Sequence, residues 1–61
     1  MTFTIKGPNP DQVVIRNSDY QYFAGYDFMG SVNWVNQFSF DITMPLSEAR
    51  DIVRDLRAAE D

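Results

Sequence analysis

Val32-Asn33-Trp34-Val35-Asn36-Gln37-Phe38-Ser39-Phe40-Asp41-Ile42-Thr43-Met44 is the stretch that decides the fold. Its even positions are Val32, Trp34, Asn36, Phe38, Phe40, Ile42 and Met44; its odd positions are mostly polar. Period-two alternation of this kind predicts one long β-strand with a single buried face.

Three shorter strands precede it. Thr2 to Lys6 alternates, with Phe3 and Ile5 on one face, and Gly7-Pro8-Asn9-Pro10-Asp11 has loop chemistry. Gln12 to Arg16 presents Val13 and Ile15, and Asp19 to Phe28 presents Tyr20, Tyr22, Tyr26 and Phe28. With Asn17-Ser18 as a tight hairpin turn and Met29-Gly30-Ser31 as the next loop, every inner residue falls opposite another inner residue. The rows are Phe3–Ile15–Tyr20–Phe40 and Ile5–Val13–Tyr22–Phe38. After the strands, Ser47 is a plausible N-cap for a helix over 47–59. Its stripe is Ala49, Ile52, Val53, Leu56 and Ala59. Glu48, Asp51 and Asp55 fall on one flank of the stripe, and Arg50, Arg54 and Arg57 on the other. The expected fold is α+β: one domain over 1–61, a four-stranded antiparallel meander with the C-terminal helix on the face of Phe3, Ile15, Tyr22, Phe38 and Phe40.

A chain of 61 residues buries only about 60% of its unfolded surface. It has no Cys and no His, so neither a disulfide nor a thiolate or imidazole metal site supports it. Nine aromatic residues are the expected substitute, and an obligate dimer is another. The net charge of −4 disfavours direct contact with nucleic acid and favours basic partners. No leader and no apolar span is read, so a cytoplasmic protein without membrane contact is expected. The same poverty of motifs speaks against chemistry. Lys6 is the only Lys and no Ser is placed beside it; there is no phosphate-binding Gly loop, no zinc pattern and no Asp-x-Asp metal spacing. No catalytic, cofactor or metal residue is assigned, and an enzyme is the least expected class.

Contact residues are another matter. The expected register sets Asp19 opposite Asp41 on the outer face, a like-charge pair suited to meeting Arg or Lys on a partner. Asp27 on the sheet and Glu48, Asp51 and Asp55 on the helix extend the set. Beyond the reach of the helix, the third and fourth strands would run on as a bare ribbon carrying Tyr26, Phe28, Val32 and Trp34, with Met29 at its turn. Exposed aromatic residues of this kind mark interfaces.

In size, acidity and sheet-plus-one-helix layout the whole chain resembles the small phage proteins that inhibit host defence, anti-CRISPRs among them. That resemblance implies binding to a defence complex and, in acidic members, occupation of a nucleic-acid site by mimicry of phosphate charge; it assigns no residue by motif. Two functions are therefore expected from different classes. One is a non-enzymatic inhibitor of a host protein complex with a basic nucleic-acid-binding surface. The other is a small assembly module that homodimerises through apolar surface.

Overall fold

The computed structural model describes residues 2–60. The expected architecture is present: a sheet in the order β1-β2-β3-β4, antiparallel throughout, followed by one C-terminal helix. The strands are β1 (Thr4–Asn9), β2 (Gln12–Arg16), β3 (Tyr22–Tyr26) and β4 (Val32–Val35), and the helix is α1 (Leu46–Glu60).

Two hairpin loops set the register, and they share one design. Asn17 N–H donates to the Gln21 carbonyl at 2.9 Å, and Tyr20 N–H donates to the Asn17 carbonyl at 3.1 Å. Asp27 repeats this with Ser31 and Gly30, at 2.9 and 3.0 Å. In each loop the first side chain braces the turn. Asn17 Oδ1 accepts from Asp19 and Gln21 N–H, and Asp27 Oδ1 accepts from Met29 and Ser31 N–H. The fourth residue of each is left-handed, Tyr20 at φ 62° and Gly30 at φ 84°. This is a turn closed by one αL residue, with three residues in the loop. The expected two-residue turn at Asn17-Ser18 is therefore wrong. Its side-chain amide stabilises the longer loop, and the register moves from Arg16–Asp19 to Arg16–Tyr22.

An odd shift turns the strand over. Phe23, not Tyr22, faces the core and is buried, with Trp34 as its cross-strand partner. Tyr20, Tyr22, Phe38 and Phe40 do not form the inner rows. Gly25, at φ 101°, lies where the β3–β4 register slips between Phe23 and Tyr26. Such a bulge needs a residue free of Cβ crowding. In β1–β2 the pairs are Thr4–Arg16, Ile5–Ile15 and Lys6–Val14; the offset from the expected rows is even, so the faces are kept. Strand β1 runs on through Gly7, Pro8 and Asn9, leaving only Pro10-Asp11 as the turn.

The long strand expected over 32–44 is the largest correction. Strand β4 ends at Val35, and a short 3-10 turn covers Phe40–Ile42. Met44 then pairs with Val13 through two 2.9 Å backbone bonds. Strands β2 and β3 are paired only at Arg16–Tyr22, so they diverge, and the Met44 segment fills the gap. The period-two pattern of residues 36–44 is not carried by a strand: the backbone bends at 36–37, turns at Phe40–Ile42 and returns to the sheet beside β2 at Met44.

Pro45 supplies the carbonyl that accepts the first helical bond, from Ala49 N–H at 3.0 Å, and Leu46 N–H donates to the Pro10 carbonyl at 2.8 Å. Ser47 therefore lies inside the first turn and is not the N-cap. Ala49, Val53 and Leu56 are buried, Ile52 packs against them, and Ala59 is exposed. They close over Phe3, Val13, Ile15, Phe23 and Met44. Each such side chain contributes about 1.5–3 kcal/mol of burial. Val32 and Trp34 join this core, Trp34 stacked on Phe3 at a 6.0 Å ring separation. They are not the bare ribbon expected from the sequence. Among the described residues no helix is long and apolar enough to cross a membrane.

Candidate protein-interaction surface

The inner face of the sheet is covered by α1; among the described residues the outer face has no element of comparable size over it. Strand alternation fixes what it carries. Ile15 points inward, so Val14 and Arg16 point outward. Tyr22 is paired with Arg16, and Val35 with Tyr22, so both share that outward face. Val14 is 2% exposed and lies outside the inner core cluster.

Aromatic contacts extend this row into a band. The Arg16 guanidinium lies 4.9 Å from the Tyr20 ring centre. Phe38 meets Tyr22 edge-on at 6.2 Å and Phe40 at 5.4 Å. The order is Tyr20, Arg16, Tyr22, Phe38, Phe40, with Val35 beside Tyr22. Tyr20 is 70% exposed, Phe40 66% and Phe38 43%. Of nine aromatic residues, Tyr20, Tyr26, Phe28, Phe38 and Phe40 are exposed. The aromatic residues are therefore not the main filling of the core, contrary to the expectation from composition. Isolated apolar residues on a surface are ordinary, but a connected aromatic band is the kind of patch that marks a contact.

The acids expected at the partner contact are dispersed. Asp19 is in the first hairpin loop and Asp41 in the 3-10 turn, so they are not opposed across a ladder. Each is exposed and next in sequence to an end of the band, Tyr20 or Phe40. The Asp27 carboxylate is held by its two turn bonds. Asp41 and Glu48 line a separate cleft of about 220 Å³ between β3, the 41–44 segment and α1, with Gly25, Met44 and Ile52. Asp51 and Asp55 lie 3.6 and 3.9 Å from Arg54, in exposed ion pairs that contribute little stability.

Of the expected aromatic anchors, Phe28 is 97% exposed at the second hairpin tip, with Met29 at 77%. Tyr26 is half exposed and meets Phe23 edge-on at 5.3 Å. Trp34 belongs to the core. Sequence reasoning missed the outward set because it fixed the first loop one residue too short, placed the second at Met29-Gly30-Ser31 where Asp27 and Ser31 in fact close a loop over 28–30, and did not foresee the bulge at Gly25. The signal was available: Asn17 and Asp27 each stand three residues before the αL position and four before a polar residue, Gln21 or Ser31. Among the described residues no group of three His, Cys, Asp or Glu side chains stands close enough to hold a metal ion. Comparison with protein families, curated proteins and solved structures finds no match to this chain.

Proposed function

We propose that this chain is a non-enzymatic protein-binding module that inhibits a host protein complex in the cytoplasm by covering a basic, nucleic-acid-binding surface. The observation that carries this reading is the exposed band from Tyr20 to Phe40. Tyr and Phe supply large contact area at low entropic cost, and an Arg within the row is typical of interface centres. The exposed carboxylates of Asp19 and Asp41, beside its two ends, are placed to meet Lys or Arg at the rim. The net charge of −4 adds long-range attraction to a basic partner. The resemblance to acidic phage anti-defence proteins points the same way. Strict phosphate mimicry is less well supported, because the carboxylates form no continuous row and Arg54 partly neutralises those of the helix.

The test is capture from bacterial lysate on the immobilised chain at low and high salt, with duplex DNA as competitor. Nucleic-acid-handling proteins should be retained, released by DNA, and lost when Asp19 and Asp41 are changed to Asn. Retention that neither DNA nor salt affects would refute the inhibitor reading.

A second reading, self-association, is favoured by the thirteen-residue uncharged run Phe28–Phe40 and by its bare tip at Phe28 and Met29. Two copies of an acidic chain meet with least repulsion through uncharged surface. Sedimentation should then detect a dimer that Phe28→Ser with Met29→Ser dissociates; a monomer at every concentration would exclude it.

A further inference from the structure

The chain carries five basic residues, and three of them converge on one groove. The groove lies between β1 and α1 and has a volume of about 400 Å³. Its floor is Phe3, Ile5 and Val53, and its rim is Arg50, Arg54 and Arg57. Strand β1 stands at the edge of the sheet and, among the described residues, is paired only with β2. In an antiparallel pair alternate residues turn their N–H and C=O groups away from the partner, so one side of β1 offers unused backbone bonds. Pro8 has no N–H, and the usable edge therefore ends near Gly7.

We propose that this groove binds an extended peptide with Glu at alternate positions, added as a further strand along β1. Three separate features select that occupant. Unused backbone groups select an extended polypeptide. The apolar floor and cationic rim together select a side chain with an aliphatic stem and an anionic head. Glu fits: its methylenes cover Phe3 and Ile5, and its carboxylate reaches the arginines. The spacing also agrees. Arg50 to Arg57 spans about 10 Å along the helix, and alternate strand residues recur every 6.5–7 Å or so, so two successive glutamates fall within the row. Lys6 takes the opposite face of this edge strand with Val14, so it adds positive charge to the edge without lining the groove.

Other polyanions fit less well. The floor offers no free ring face for a base, because Phe3 is buried and stacked on Trp34. The net charge of −4 opposes every anion, and most strongly the dense charge of nucleic acid or of an anionic bilayer; a short peptide with three carboxylates meets less of it. Asp51 and Asp55 already hold Arg54 at the rim in exposed pairs, which an incoming carboxylate can replace. This site is independent of the aromatic band, so either can fail without the other.

The test is fluorescence titration of a labelled, end-capped peptide of three Glu-Thr repeats against the whole chain. Saturable binding is expected, weaker by about tenfold or more when Arg50, Arg54 and Arg57 are all changed to Gln, a loss of about 1.4 kcal/mol. Three Gln-Thr repeats, and the Glu-Thr peptide N-methylated at alternate residues along either edge in turn, test the charge and the backbone separately. The neutral peptide should not bind, and methylation of one edge should abolish binding while methylation of the other does not. The arginines are exposed, so circular dichroism of the triple variant should match the parent. The proposal is overturned by absence of binding, by equal affinity for the triple variant or the neutral peptide, or by indifference to methylation. Tighter binding of a thymidine oligonucleotide or of phosphatidylglycerol vesicles than of the peptide would overturn it too.

Discussion

The two faces of the sheet are built from the same residue types and have opposite fates. The inner face puts Phe3, Ile15, Phe23 and Trp34 beneath Ala49, Val53 and Leu56 of the helix. The outer face puts Tyr22, Val35 and Phe38 in a band with Tyr20 and Phe40, and leaves much of it in water. Hydrophobicity does not separate the two sets. What separates them is register, and register is set by two Asx-braced loops. One extra residue in the Asn17 loop, matched by the one-residue bulge at Gly25 toward β4, decides that Phe23 is core and Tyr22 is surface.

The comparison can be broken from the inside first. Leu56→Ala should cost about 2–5 kcal/mol, enough to unfold much of so small a domain, and a urea titration reads it directly. Trp34→Ala should cost about 3 kcal/mol, with loss of folded circular dichroism, because Trp34 is stacked on Phe3 and not part of a bare ribbon. The hinge between the faces comes next. Asn17 is 4% exposed and its side chain makes three hydrogen bonds, so Asn17→Ala should cost about 1–3 kcal/mol. Asp27→Ala removes the same brace from the exposed loop and should cost less, about 0.5–1 kcal/mol. Equal losses at the two loops would mean that burial of Asn17 contributes nothing. The outer face should respond least. Phe40→Ser should change stability by about 0.5 kcal/mol or less, measured by the same titration; a loss as large as that of Leu56→Ala would make the band a second core.

Much of this was legible in the sequence, for identifiable reasons. Short alternating runs bounded by Gly, Pro and Asn gave four strands, and the i, i+4, i+7 stripe of Ala49, Val53 and Leu56 gave the helix and its buried side. Even-numbered register errors, as between β1 and β2, left the faces intact. The odd error at Asn17 did not, because period two carries parity but no loop length. The alternation of Phe38, Phe40, Ile42 and Met44 predicts a buried face that is not built, because Phe38 and Phe40 stay exposed and the chain turns at Phe40–Ile42 before Met44 reaches the core. At the candidate surface, the acids were legible as exposed, and their pairing was not. Asp19 and Asp41 were brought together only by the mistaken register, and the bracing of its own turn by Asp27 was not foreseen. The Arg50, Arg54 and Arg57 flank was legible as one side of the helix stripe; only the position of β1 turned it into the wall of a groove.

The central claim is that the outer band is a contact surface and not a displaced part of the core. The most direct measurement is the affinity of a captured partner for the Tyr20→Asn, Phe40→Ser double variant, made beside its urea midpoint. Asn tolerates the left-handed backbone at position 20, so the loop is preserved. The predicted result is stability within about 1 kcal/mol of the parent, with affinity reduced by about tenfold or more. Undiminished affinity with stability intact would contradict the account.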